Sequence, residues 1–430
     1  MSRLIFVLIL QFFYSQISFT KEEIYNCKWD NKNNTPCIEI INDISNSSEF
    51  AKRGVNKVVI SKKQIDEMGA IDLIDVLAQV PDINLTQSGP KGQQTSMFMR
   101  GTGSNHTLVM INGVAINDQS TTQGLHDFGV DFIQTIHQIE IFPGSSASHF
   151  GTNAIGGAIN IILAGDFKDS IKFASDNNSN YEFTGNKTFI YDNSSLNLKI
   201  GGIKNETTSA LGSPDDEKDG VKNYSANINF ENYFKNLRVF NNTYLRQTVA
   251  EYDNSSSKQS GYEGDNLMGT TQFGLENLSK SSKQKYLVYY NMYDREYDER
   301  GTIDTYESEA IGVKYDLSKT LNNKMSIGVG TEYKYDWGSF DNQGSYQAST
   351  KGNSDNISLY SNLGYNFLDN YNLALFVRND KHKQTGDNST FKVNVEKFIN
   401  GSNLGISYMN GLRNPTLYEM YGTDNFGYSG

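Results

Sequence analysis

The stretch SIGVGTEYKYDW, residues 326–337, alternates without a break. Ile327, Val329, Tyr333, Tyr335 and Trp337 fall on one face of an extended chain, and Ser326, Gly328, Gly330, Glu332, Lys334 and Asp336 on the other. A period of two with one apolar and one polar face belongs to a strand that separates two unlike solvents. FKVNVEKF (391–398) repeats the pattern, with Phe391, Val393 and Val395 set against Lys392, Asn394 and Glu396, and ISLYSNLGYNF (357–367) and YSANINF (224–230) follow it. These strands read as roughly 8–12 residues long, close to what crosses a bilayer at a tilt. Tyr and Phe gather near their ends, as interfacial aromatics do. The connections are by turns tight (NFLDNYNL, 366–373) and long (AEYDNSSSKQSGYEGDN, 250–266). A soluble sandwich also alternates, but its strands are shorter and its loops are not sorted by length. Residues 166–430 are therefore expected to form an antiparallel membrane β-barrel.

Composition agrees with that expectation. The chain has 430 residues and a net charge of −11, which excludes the basic footprint of a nucleic-acid binder. Tyr 26 and Phe 24 against Pro 6 favour strands over disorder. The first residues, MSRLIFVLILQFFYSQISFT, carry one Arg, an apolar run from Leu4 to Tyr14, and then small or polar residues. That is the layout of a secretory signal peptide, assigned to residues 1–20, and the run is too short to anchor the chain. Cys27 and Cys37, in a segment spanning 21–55, are expected to form one disulfide in an exported chain. No other stretch is long and apolar enough for a membrane helix, so a membrane-spanning form has to be a barrel.

Residues 56–165 follow a different grammar and read as an α+β unit. NKVVI (56–60) is a short strand, and Ser61 to Gln64 is a capping-box pattern opening a helix. Leu73, Ile74, Leu77 and Val80 fall on one helical face before Pro81. Strands follow at 83–85, 96–100, 138–142 and 158–163. The stretch TLVMI–NG–VAI (107–116) is a hairpin, because both residues of an Asn-Gly turn take positive φ. Gly151 to Gly157 imitates a phosphate loop, yet Gly157 stands where the essential Lys belongs, so close backbone packing is expected instead. Ser145, Ser146 and Ser148 lie in no nucleophile elbow, and the His residues form no metalloprotease motif. No catalytic constellation emerges, and no enzyme is expected.

Taken in order, VPDINLTQSG (80–89), MFMRGTGSNHTLVMINGVAIND (97–118), IEIFPGSSASHFGTNAIGGAINII (139–162) and GLRNPTLYEMYG (411–422) resemble the TonB-dependent outer-membrane receptors of Gram-negative bacteria. Within that family the chain looks most like the cobalamin (vitamin B12) transporters, with siderophore receptors sharing the outline. The resemblance implies a globular plug inside a barrel of about 22 strands. Roughly 12–14 strands are expected here, so the barrel reads as incomplete, a fragment or a truncated reading frame. It also implies active uptake of a scarce large nutrient, either cobalamin or a ferric siderophore. TonB, with its inner-membrane energising complex, would be the partner, outer-membrane lipid the surroundings, and no cofactor would be required. The TonB box is expected at Ile38, Glu39, Ile40 and Ile41. Family plugs set arginines against barrel glutamates; Phe142-Pro143-Gly144 lacks one of them, which leaves Arg100 to lock plug to barrel.

Two loops, 88–94 and 117–126, are expected to face substrate through Gln93, Gln94, Asn117, Gln119 and Ser120. The run Pro214 to Gly220 clusters carboxylates in a way that suits Ca²⁺. By resemblance Asp215, Asp216, Asp219 and, from the next loop, Asp253 are the candidate calcium ligands. A passive porin would lack residues 56–165 altogether, and an exported soluble β-rich enzyme or binding protein would need a converging site.

Overall fold

The computed structural model describes residues 57–430 apart from 166–168, 178–179, 207–208, 210–217, 254–260, 345–346, 369–370 and 400–401. The signal segment, the Cys27–Cys37 pair and the TonB-box candidate Ile38–Ile41 lie outside these residues, as do Asp215 and Asp216.

Strand β1 (Val58–Ser61) runs straight into helix α1 (Lys62–Met68). The expected capping box is present: Ser61 Oγ accepts from the Gln64 amide while the Gln64 side chain accepts from the Ser61 amide. The apolar face expected over 73–80 does not continue this helix. Gly69 ends α1 in the left-handed conformation (φ 65°), and Asp72 opens α2 (Leu73–Leu77) with a second capping box to Asp75. Leu73, Val76 and Leu77 of α2 are fully buried, so the apolar stripe faces the core as expected although it sits on a separate, shorter helix.

The hairpin β2 (Ile83–Gln87) and β3 (Thr95–Met99) follows. Then come β4 (Thr107–Ile111), β5 (Val114–Ala115), β6 (Gln138–Pro143), the short helix α3 (Ala147–Phe150) and β7 (Gly157–Ile162). Five strands form one sheet in the order β1-β6-β7-β4-β5, with β4 and β7 parallel. Asn112 (φ 47°) and Gly113 (φ 82°) make the expected hairpin turn. Gly157 lets the backbone pass closely, since a Cβ there would lie 2.4 Å from the Phe142 carbonyl oxygen. The phosphate-loop mimic is thus a packing device. Ile65, Leu73, Leu77, Met99, Val109, Ile139, Ile141 and Ile159 form the core of this unit. Barrel residues Tyr244, Met268 and Tyr293 close it from outside.

Thirteen strands then run as an unbroken antiparallel meander from β8 (Ser170–Ser175) to β20 (Ser402–Met409). They are β9 (Tyr181–Tyr191), β10 (Ser194–Glu206), β11 (Gly220–Phe234), β12 (Leu237–Tyr252), β13 (Tyr262–Leu278), β14 (Ser282–Glu299), β15 (Thr302–Asn322), β16 (Met325–Asp341), β17 (Ser349–Leu368), β18 (Tyr371–His382) and β19 (Gly386–Ile399). The sheet is inside-out. Val329, Ile357, Leu359 and Val377 point outward and are exposed, while Ser326, Ser358 and Arg378 are buried on the opposite face. Lipid is the solvent that makes such an exterior favourable.

The strands are longer than the expected 8–12 residues: β15 has 21 and β13 has 17. At about 3.3 Å per residue and a tilt near 45°, a 21-residue strand rises roughly 50 Å, well beyond the ~30 Å hydrocarbon layer. The overhang pairs in water, where both faces are polar and alternation gives no signal. Tyr286 and Tyr315 (4.8 Å between ring centroids) and Phe367 and Tyr371 (5.4 Å) sit toward the tight-turn side, where an interfacial girdle belongs. Among the described residues no helix is long and apolar enough to cross a membrane.

Candidate functional site

The plug leaves backbone carbonyls at the edge of its sheet and in its loops, and the inner wall satisfies them. Asn291 Nδ2 donates to Ala115 O (2.8 Å), Tyr293 OH to Ile116 O (2.6 Å) and Gln272 Nε2 to Ile111 O (2.8 Å). Asn227 Nδ2 donates to Leu163 O (3.0 Å), and Thr248 Oγ1 to Val130 O (3.0 Å). These polar wall residues take the place of water for the two-residue edge strand β5 at Ala115 and for the neighbouring strand end and loops.

Two buried ion pairs reinforce the contact. Arg246 of β12, 1% exposed, pairs with Asp131 of the plug, whose other carboxylate oxygen lies 2.5 Å from His126 Nε2. Burial alone would raise the Asp131 pKa, but the charges of His126 and Arg246 and their hydrogen bonds outweigh it and hold the carboxyl below its usual range. Arg295 Nε of β14 lies 2.9 Å from Asp118 Oδ2, and Ser308 Oγ of β15 donates to Asp118 Oδ1 at 2.7 Å. Asp127 is held differently. Burial raises its pKa, and amide hydrogen bonds from Thr95 and Gly129 offset that only in part. The sign of the lock is thus the reverse of the one expected, with acids on the plug and arginines on the wall. Arg100 is placed within the plug, where its Nε donates to Asp82 Oδ2 at 3.1 Å.

On the other flank plug and wall part to leave a cavity of about 110 Å³. The plug lines it with the β4–β5 hairpin, α3 and the loop at Asn117 and Gln119, and the wall does so with β15–β18. Residues of segment 414–421 close it from the side; the segment contains α4 (Leu417–Tyr421), opened by a third capping box between Thr416 and Glu419. Most of the wall charges here are paired among themselves, Lys334 Nζ with Asp336 (2.8 Å) and Arg378 Nε with Asp380 (2.9 Å), while Lys314 Nζ lies over the Tyr360 ring, 5.6 Å from its centroid. Amides and hydroxyls, Asn117, Gln119, Asn356, Asn362 and Asn414 among them, make up much of the remaining lining.

The residues expected to face substrate divide into groups. Gln119 lines the cavity. Asn117 borders it too, but its side chain is committed to structure, accepting from the Val109 amide (2.9 Å) and donating to Thr107 O (3.2 Å). Ser120 is buried, with its Oγ donating to Asp118 and receiving Arg295 Nη2 at 3.2 Å, so it joins the lock and not an open surface. Gln94 is exposed. Gln93 reaches the wall, donating to Glu251 O at 2.6 Å.

That bond brings the first substrate loop next to one of the expected calcium loops. Asp253 Oδ2 there accepts from Ser209 Oγ at 2.5 Å, while its Oδ1 is buried with no hydrogen-bond partner among the described residues. Asp219 is buried beside Gly220, whose amide donates to Glu251. Among the described residues no three acidic, His or Cys side chains converge on a metal position. Sequence reasoning missed the wall side of the cavity, notably Tyr360 and Arg378. The alternation places Glu332, Lys334 and Asp336 on one face, and that polar face is the available signal.

Comparison with known proteins matches this architecture in two contiguous parts. Residues 52–158 match the TonB-dependent Receptor Plug Domain, and residues 164–430 match the TonB dependent receptor-like β-barrel. The chain belongs to the TonB-dependent receptor family, a family of outer-membrane transport receptors and not of enzymes. It is 26% identical over 377 residues to a protein named vitamin B12 transporter BtuB of Photobacterium profundum, covering 85% of this chain and 60% of the relative. A protein of the same name from Vibrio vulnificus is 36% identical over 165 residues, 38% of this chain and 25% of the relative.

Among solved structures, the siderophore receptor PirA of Acinetobacter baumannii superposes with a TM-score of 0.71 at 17% identity, over 86% of this chain and 63% of that one. A point mutant of the ferric enterobactin receptor PfeA of Pseudomonas aeruginosa gives 0.69 at 13% identity, over 86% and 63%. At such identities these structures share the fold. The chain spans about 60% of the length of the curated relative that it matches over most of its own length.

Proposed function

We propose that this receptor takes up a corrinoid, cobalamin, across the outer membrane, driven by TonB. The carrying observation is the chemistry of the cavity. Its lining carries many amides and hydroxyls, and of its three Lys and Arg side chains two pair with acids, Lys334 with Asp336 and Arg378 with Asp380, while Lys314 lies over the Tyr360 ring. Such a surface suits a large ligand fringed with amide groups. A multiply anionic ferric chelate would call for more uncompensated positive charge than Lys314 alone supplies. Likeness to the vitamin B12 transporters supports the same choice, and a siderophore is the alternative that the shared fold leaves in place.

In this reading substrate first meets the plug apices around Gln93 and Gln119. The segment at Ile38–Ile41 then pairs with TonB as an added β-strand. Ca²⁺ would bind at Asp219 and Asp253, and Asp253 Oδ1, which has no hydrogen-bond partner among the described residues, fits an oxygen ligand to such an ion. The test is equilibrium binding of cyanocobalamin to the purified receptor with and without Ca²⁺, beside a ferric catecholate. Cyanocobalamin binding that tightens with Ca²⁺ supports both proposals. Binding of the ferric chelate alone transfers the assignment to siderophores.

A further inference from the structure

Across the described strands of the wall the plug is not held evenly. On the flank of β11–β14 its carbonyls at Ile111, Ala115, Ile116, Val130 and Leu163 are each bound by a wall side chain. The buried pairs Asp131–Arg246 and Asp118–Arg295 lie on the same flank. Pulling plug from wall there would strand buried carbonyls and charges.

The flank of β16–β18 is built otherwise. Its wall side chains satisfy one another: Asn356 Nδ2 donates to Asp380 (2.9 Å) and to Ser358 (2.8 Å), and Arg378 is held by Asp380 and Ser358. The plug meets them across the cavity and through the edge-on contact of His149 with Phe376, 5.2 Å between ring centroids. Among the described residues, parting the two surfaces there breaks no buried ion pair between them.

One segment bridges this flank. From the end of β20 the chain crosses to the plug, where Ser145 Oγ donates to Asn410 O (2.8 Å), the Asn153 amide to Leu412 O (3.0 Å), the Asn414 amide to Thr152 Oγ1 (2.7 Å) and Thr416 Oγ1 to Thr122 O (2.9 Å). It then returns to β17, where Thr423 and Ser349 exchange backbone hydrogen bonds and Tyr421 OH donates to Asn353 O (3.1 Å). The strap is stiffened by a bidentate pair, Arg413 with Glu419, at 2.9 and 2.6 Å. These four bonds to the plug are all neutral, the weaker kind, and breaking them strands no charge.

We propose that the nutrient passes between the plug and strands β16–β18 through this cavity, with segment 410–421 as its gate and the β11–β14 flank as the fixed side. The inference rests on reading the chain as a TonB-driven receptor. It adds where the route lies and which contacts open. Because the bonds that bridge this flank are neutral and those of the β11–β14 flank include buried ion pairs, the plug would shift locally at 145–153 instead of leaving the barrel as a body.

Thiol labelling in intact cells tests this. In receptor with Cys27 and Cys37 replaced by Ser, one cysteine is introduced at Asn356→Cys in the cavity, or at Asn227→Cys on the fixed flank. A small membrane-impermeant maleimide is added with or without an uncoupler, and cyanocobalamin uptake is followed in the same cells. Labelling at Asn356→Cys should rise several-fold when the membrane is energised, and labelling at Asn227→Cys should not change. Arg413→Ala should raise labelling at Asn356→Cys without energy. A larger rise at Asn227→Cys, or equal labelling at both positions while uptake proceeds, would overturn the route. A labelling difference without cyanocobalamin uptake would support the route and overturn the substrate.

Discussion

Replacing Arg246 with Ala should free the plug more than any other single change in the wall. Arg246 is 1% exposed, pairs with Asp131 and donates to Asn266 Oδ1 at 3.2 Å. Its loss leaves the Asp131 carboxylate buried with His126 as its remaining partner. Breaking one side of a buried pair costs about 3–5 kcal/mol. With a urea dependence of about 2 kcal/mol per molar, that moves the midpoint of plug release down by on the order of 2 M. Release is read in detergent as maleimide labelling at Asn227→Cys, a wall position whose Asn side chain donates to the plug's Leu163 carbonyl at 3.0 Å. The double variant Arg246→Met with Asp131→Leu removes both charges and should recover most of the loss, because an apolar pair of similar volume carries no desolvation cost. A midpoint for Arg246→Ala within about 0.3 M of the parent would refute the argument. So would a double variant whose cost equals the sum of the two single changes.

Other consequences are as direct. Gly129→Ala would put a Cβ 1.9 Å from the Gln93 carbonyl oxygen, so the 88–94 loop must move; Gln93 should leave Glu251, read as faster hydrogen exchange across 88–95. His149 is pushed down to about 3 by burial and then by the charges of Lys392, Lys314 and Arg378. Once α3 is detached its pKa returns to about 6.5, so the detached form gains a proton over that window. Attachment of α3 should then weaken as pH falls from about 6.5 toward 3 and stay constant above it. His149→Phe should abolish that dependence, measured as hydrogen exchange across 147–150. Asp253→Asn should weaken Ca²⁺ binding by titration calorimetry and leave the melting temperature in chelator unchanged.

Two solvents, and the boundary between them, are written into the chain before it folds. Period-two alternation in SIGVGTEYKYDW needs only a strand with unlike faces, and it assigns Glu332, Lys334 and Asp336 to the interior. The Asn112-Gly113 turn and the Ser61–Gln64 box are local too, because each is fixed by the conformation of a few neighbouring residues. The break at Gly69 is equally local, but the apolar stripe that resumes at Leu73 masks it. What holds the plug emerges only in three dimensions. Asp131 and Arg246 are 115 residues apart, and nothing near either one marks it as half of a pair. The same holds for the cavity and its strap: Thr416 meets Thr122 only because β8–β20 curl around the plug and carry the chain back to it. Strand length escapes the sequence for a related reason. Where a hairpin leaves the lipid both of its faces are wet, and backbone pairing continues without any contrast for the side chains to record.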